Sequence, residues 1–143
     1  MTAADRKLWS ELRAALWPEQ APEQHVHDLD SVLRDGQYWG FVAQAPDGHA
    51  IGFAEISIRR FANGCDSQPV PFLEGIWVAP QFRRQGIAAL LLDRIEAFVT
   101  ERGFQELGSD ALIDNTESHA AHRAWGFAET ERVIYFRKVL QKK

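Results

Sequence analysis

The stretch from Glu74 to Glu96 narrows the possible folds more than any other part of the chain. It reads Glu-Gly-Ile-Trp-Val-Ala-Pro, then Gln-Phe-Arg-Arg-Gln-Gly-Ile-Ala, then an apolar run. A short apolar strand therefore stops at Pro80, a basic loop closes on Gly86, and a helix follows. Ile87, Leu90, Leu91, Arg94, Ile95 and Phe98 recur at steps of three and four, the period of a helix. A helix that begins after Gly86 turns unpaired backbone N–H groups toward the loop, where Arg83 and Arg84 stand beside them. Two readings fit these residues: a site for a phosphate or pyrophosphate, or an arginine pair on a solvated face. A Rossmann site fits poorly, because the turn holds one glycine and no Gly-x-Gly opens it. No Gly-Lys-Ser/Thr ending supports a Walker loop.

Around this unit the patterning predicts the rest. Leu8, Trp9, Leu12, Leu16 and Trp17 define a helix over 6–17 that Pro18 ends. A second helix, from Pro22 to Leu33, has a thin apolar face of Val26, Leu29, Val32 and Leu33. Strands are expected at 38–45 and 50–58, joined through Pro46-Asp47-Gly48-His49, with Glu55 a charge inside an apolar strand. Residues 60–70 form a long irregular connection of the kind that borders a site. A central strand at 71–78, the helix at 87–102 closed by Gly103, a strand at 105–110 and a helix at 116–125 follow. A last strand is expected over 131–139. The expected fold is α/β in a single domain, 1–143, with a mixed sheet and helices on both faces.

Composition matters here for what it excludes. A length of 143 residues suits one domain, and a net charge of -4 without a basic stripe argues against nucleic acid as a partner. The single cysteine, Cys65, cannot form an internal disulfide. No long apolar run or signal peptide is visible, so no membrane partner is expected and the expected location is cytoplasmic. Neither the His25/His27 pair nor the His119/His122 pair comes with ligand spacing, so no metal is expected.

Arg83-x-x-Gly86-x-Ala88, after a Val-x-Pro strand end, resembles the acetyl-coenzyme A signature of the GCN5-related N-acetyltransferases. The resemblance implies that family's fold, with a mixed, mostly antiparallel central sheet flanked by helices. It also implies a cofactor site at Ile76, Trp77 and Val78 on the strand and at Arg83, Arg84, Gln85, Gly86, Ile87 and Ala88 in the loop and helix start. Asn115-x-x-Ser118 through Gly126-Phe127 resembles the family's other recurring segment and adds Asn115, Ser118 and His122. His122 stands where the family commonly has a tyrosine near the thiol sulfur. Its two readings are a catalytic group and a polar residue on a part-exposed helix. Family members usually open with a strand, but only Met1 to Ala4 precede the first helix here.

Leu16-Trp17-Pro18, Phe72 to Ile76, Ser109-Asp110-x-x-x-Asp114-Asn115 and Glu129 to Phe136 are similar to aminoglycoside 6'-N-acetyltransferases. That resemblance implies acetyl transfer to a polycationic antibiotic, which calls for acidic side chains at the acceptor site. Glu74, Asp110 and Glu129 are the candidates. Asp114 is either a fourth or a helix cap, and Trp17 is either a platform for a sugar ring or core. The implied mechanism is direct attack of a neutral amine on the thioester. Glu74 or Asp110 accepts the proton, and backbone N–H groups near Trp77 stabilise the oxyanion. A covalent intermediate through Cys65 is not expected. Rival readings keep the chemistry with a polyamine or protein amine as acceptor, or reduce the chain to an acyl-coenzyme A sensor. Relatives in this subclass imply a homodimer, in which Glu129 could serve the partner's site.

Overall fold

Apolar and alternating stretches in the middle of the chain build one sheet. β1 (Tyr38–Gln44), β2 (Ala50–Arg59) and β3 (Val70–Val78) run antiparallel to one another, and β4 (Gly108–Ser109) joins β3 in parallel. The structure, a computed structural model, describes residues 1–141. It divides into two compact units, Met1–Asp110 and the chain from Ala111 onward. The first unit holds the sheet with α1 (Arg6–Leu16), α2 (Pro22–Arg34) and α3 (Ile87–Glu101); the second holds α4 (Thr116–Ala124).

In the first unit the helices divide between the two faces of the sheet. Trp9 and Leu12 of α1 and Leu29 of α2 form one buried cluster with Phe53 of β2. Each such side chain contributes about 1.5–3 kcal/mol when fully buried. Trp9 lies so close over Gly40 that a Cβ there would sit 2.6 Å from the indole. On the other side, α3 buries Leu91, Leu92, Ile95 and Val99. Its Phe98 ring centre lies 5.4 Å from those of both Trp39 and Phe41 on β1. Within α2, His25 is fully buried whereas Val26 is exposed, so the inward face differs from the expected one.

The register shifts at two places, between Ala43 and Gln44 at the end of β1 and within the β2–β3 pair, and the second matters for the site. Glu55 pairs with Gly75 but Ile56 pairs with Leu73, so Glu74 is an extra residue in β3, a β-bulge. Its effect shows in the contacts. Glu74 reaches Ser57 and Arg59, a Cβ on Gly75 would meet Leu16 and Trp17, and Trp77 packs on the Trp9 cluster. Glu74 and Gly75 are consecutive, yet both address the α1 face.

Two strand expectations are corrected. The strand expected over 105–110 is only Gly108–Ser109, because the carboxylate of Glu106 is used to hold the backbone N–H groups of Asp66 and Ser67 in the long loop. No strand forms at 131–139 among the described residues. Alternating apolar residues make a strand only when an edge is there to pair with, and Ile134, Tyr135 and Phe136 are exposed instead. At the other end, no strand precedes α1 among the described residues; a 3-10 turn occupies Ala3–Asp5, and the Met1 amino group donates to Gly40 O at 2.6 Å.

Candidate active site

The central feature is the place where β3 parts from β4. Their pairing covers Phe72 with Gly108 and Leu73 with Ser109 and then stops, while β3 continues to Val78. Along this free stretch the direction of each amide follows from the β2 register. Ala79 N donates to Ile51 O at 2.8 Å, so Ala79 faces β2. Groups two residues apart face the same way, so Trp77 also turns to β2, and Ile76 and Val78 point their amides to the open side. Near Trp77, then, the amides turned to the open side are those of its two neighbours.

β3 leads directly into the basic loop. Gly86 has φ +79°, a left-handed conformation, and a Cβ there would meet nothing within 4 Å. Glycine is thus required for backbone angle, and open space lies in front of it. Arg84 is also left-handed, at φ 64°, a conformation uncommon for a residue with a side chain and found at ligand clamps. No side chain caps the first turn of α3, so the N–H groups of Ile87 and Ala88 project from its start. Arg83 Nε donates to Val78 O at 2.9 Å, tying the loop to the strand end, and Gln85 reaches Gln81 O. Arg83, Arg84 and Gln85 are exposed, and the arrangement presents positive partial and full charge, suited to a pyrophosphate.

On the α1 face of β3, Glu74 is not a free carboxylate. Its Oε1 accepts from Arg59 Nη2 at 2.6 Å, and its Oε2 accepts from Arg59 Nε at 2.9 Å and Ser57 Oγ at 2.8 Å. The Arg59 guanidinium lies 3.6 Å from the centre of the Phe72 ring. Hydrogen bonding to Glu74 raises the Arg59 pKa against the effect of burial, and the charge of Asp110 adds to the rise. Asp110 itself is exposed just beyond β4. Three accepted bonds make Glu74 an orienting anion more than an unencumbered base.

Trp17 is held from several sides. A Cβ on Gly75 would lie 2.9 Å from its indole, Arg13 Cζ sits 5.0 Å from its ring centre, and His25 Nε2 donates to its carbonyl at 2.9 Å. The indole rests on the strand beside Glu74 and remains half-buried, so it has features of both readings, core and platform. Beneath it, Arg13 Nη1 donates to both oxygens of Glu55 at 3.0 and 3.1 Å. Trp9 Nε1 at 2.7 Å and the Tyr38 hydroxyl also donate to that carboxylate. Burial pushes the Glu55 pKa up, opposed by Arg13 and the donors, and burial with the Glu55 charge pushes Tyr38 up.

The second unit groups three of the remaining candidates. Asn115 Oδ1 accepts from Ser118 N at 3.1 Å, so Asn115, not Asp114, caps α4. His122 Nδ1 lies 2.7 Å from Ser118 O, which can only accept, so Nδ1 carries a proton and Nε2 the lone pair of the neutral ring. The imidazole packs 5.3 Å from the Trp125 ring centre and 5.2 Å from that of Phe127. Asp114 is exposed. Glu129 pairs with Arg132 and, at 3.8 Å, Arg123, and its pKa is lowered chiefly by Arg132.

Within the first unit, then, Glu74, Ile76, Val78 and the Arg83–Ala88 loop follow one another along a single strand and its continuation, and Trp17, at the end of α1, packs on Gly75 of that strand. Ser57, Arg59, Arg13 and His25 escaped the sequence reading. The alternation Glu55-x-Ser57-x-Arg59 was a signal for two of them, since a strand places those three on one face. Cys65 packs on Phe72 and Gly108, and burial followed by the Glu106 charge raises its pKa, away from a nucleophilic thiolate. Among the described residues no group of three or more His, Cys, Asp or Glu could hold a metal, and no helix is long and apolar enough to cross a membrane.

Comparison with known proteins gives a consistent set of relatives. The profile described as Acetyltransferase (GNAT) family matches residues 6–127. An aminoglycoside N(6')-acetyltransferase type 1 from Salmonella typhimurium is 47% identical over 131 residues, covering 91% of this chain and 90% of the relative. A crystal structure of an aminoglycoside antibiotic 6'-N-acetyltransferase from Acinetobacter haemolyticus superposes with TM-score 0.89 at 39% identity, covering 99% of this chain and 97% of that one. AAC(6')-Iy, in complex with the bisubstrate analogue CoA-S-monomethyl-acetylneamine, gives TM-score 0.88 at 44% identity over 98% of this chain and 95% of that one.

Proposed function

The chain belongs to the acetyltransferase (GNAT) family, and from that premise we propose that it transfers the acetyl group of acetyl-coenzyme A to the 6'-amino group of aminoglycosides, conferring resistance to them. The observation that carries this reading is the parting of β3 from β4 at the Glu74 bulge. It sets an acidic acceptor position, two outward amides and an anion-binding loop in sequence along one strand. The names of relatives at 40–47% identity supply the acceptor class.

Acetyl-coenzyme A supplies an activated thioester; the residues do the rest. Arg83, Arg84, Gln85 and the N–H groups of Gly86, Ile87 and Ala88 hold the pyrophosphate. Asn115 and Ser118 contribute to the same cofactor. The outward amides of Ile76 and Val78 hold the pantetheine arm and the oxygen on which charge develops. Trp17 offers its indole to an aminoglycoside ring, and Glu74, Asp110, Asp114 and Glu129 meet the ammonium groups. Glu74 orients the amine, Asp110 or a water takes its proton, and His122, in the family's tyrosine position, gives a proton to the leaving thiolate after its Nε2 has taken one up from water. Residues 1–143 act as one acetyltransferase domain, in the cytoplasm where the acyl donor is made. The protein works as a homodimer, because the exposed apolar segment at 133–140 needs a cover.

The test is acetyl-coenzyme A-dependent thiol release with kanamycin, tobramycin and gentamicin, beside spermidine and a lysine peptide. The expected result is turnover on the aminoglycosides, acetylation at the 6' amine, and a loss of about a hundredfold or more in kcat/KM for Glu74→Ala. Turnover confined to spermidine or the peptide would remove the antibiotic from the reading and leave the acyl transfer.

A further inference from the structure

The acceptor reading brings an ammonium group to Glu74, yet Glu74 already has a cation. Arg59 grips both carboxylate oxygens, at 2.6 and 2.9 Å, and lies flat on Phe72 at 3.6 Å from the ring centre. This is not a loose surface pair. The fork is bidentate, the guanidinium is stacked, and Ser57 occupies a further position on Oε2, leaving Oε1 as the oxygen with room for another donor. A site built only to attract polycations would have no use for an arginine on its central acid.

We propose that Arg59 is a positioning residue for the acetyl transfer: it offsets the charge of Glu74, so that Glu74 orients the acceptor amine without retaining its proton. The inference rests on the acceptor reading given above. Only a neutral amine can attack the thioester, displace the thiolate and release its proton. An unpaired carboxylate beside the amine favours the ammonium form and raises its pKa. Each unit of that rise lowers the neutral fraction about tenfold at neutral pH. With Arg59 in place the pair is close to neutral and still offers a hydrogen-bond acceptor. Other ionisable groups also face it. Asp110 reaches Arg59 from beyond β4. Tyr38 of β1 also faces it, as a neutral phenol bound to Glu55, and Glu55 is paired with Arg13 of α1. Arg59 is the cation set directly against Glu74.

The experiment is the single-turnover rate of acetyl transfer to saturating tobramycin over pH about 6 to 9, with tobramycin affinity measured alongside. In Arg59→Met, which keeps an apolar chain over Phe72, the alkaline-rising limb moves up by about one pH unit. Transfer at neutral pH then falls about tenfold while tobramycin binds more tightly. Arg59→Lys, which keeps a charge at the site, restores the limb. A limb that coincides with wild type in Arg59→Met overturns the inference. So does weaker tobramycin binding with an unmoved limb, since Arg59 would then only steady Glu74. Should Arg59→Met fail to fold, Arg59→Gln carries the same comparison. Wild-type protein inactive on every aminoglycoside would sink the acceptor reading and this inference with it, an outcome distinct from an active enzyme with an unchanged profile.

Discussion

Glu55 shows what a single side chain can commit a fold to. Buried and bound by Arg13, Trp9 and Tyr38, it ties α1 to the sheet through a largely buried ion pair. Glu55→Gln would strand a buried guanidinium and is expected to lower stability by about 3–5 kcal/mol, read from urea unfolding. Gly75→Ala is the complementary case. Its new methyl would sit 2.7 Å from Leu16 and 2.9 Å from Trp17 and push the indole off the strand. The expected result is an aminoglycoside KM raised about tenfold with the acetyl-coenzyme A KM unchanged; equal changes in both would place Trp17 in the core and not in the acceptor site. The sequence exposed Glu55 as an anomaly in an apolar strand but not its counter-charge. Arg13 lies on a helix 42 residues away, and nothing local marks which arginine will be buried.

At the scale of elements, the long loop and the α3 start each hang on one device. Hydrogen bonds from the backbone N–H groups of Ser67 and Asp66 hold the Glu106 carboxyl below the usual range. A lowered folded-state pKa means a contribution that is complete above the ordinary glutamate value, about 4.3, and lost as pH falls through the lowered one. Hydrogen exchange at the Asp66 and Ser67 amides, corrected for intrinsic rates, should lose protection as pH drops below about 4, and Glu106→Ala should lack that protection at any pH. Gly86→Ala forces a side chain into the left-handed region at a cost of about 1–2 kcal/mol. The expected effect is acetyl-coenzyme A binding weakened about tenfold, checked by calorimetry. α1, α2, α3 and β1 to β3 were legible to within a residue or two, because each repeats its apolar period between clear stops such as Pro18, Gly48 and Gly103. β4 was not, since two residues pair only because β3 offers them an edge.

For the molecule as a whole, the apolar C-terminal segment is the exposed feature that calls for a cover. Ile134 is 78% and Phe136 89% exposed, and burying each against a second copy would contribute about 1.5–3 kcal/mol. Sedimentation should find wild type as a dimer and Ile134→Asp with Phe136→Asp as a monomer; equal masses would remove the dimer from the reading. The alternation at 131–139 was legible as strand material, but the pairing edge it requires lies outside what one chain's periodicity can name.

The bulge at Glu74 has a consequence for how this protein can change over generations. Side chains alternate between the two faces of a strand, and the extra residue is what lets Glu74 share a face with Gly75 and Trp77. Replacing a residue in β3 alters one contact, whereas deleting Glu74 restores even pairing, with Leu73 opposite Ile56 and Gly75 opposite Glu55, and takes away the carboxylate that Ser57 and Arg59 hold. Descendants of this gene can therefore drift by substitution along β3 while its length there stays fixed, and a family tree would show insertions and deletions collecting in the 60–69 loop and vanishing within five residues of Glu74.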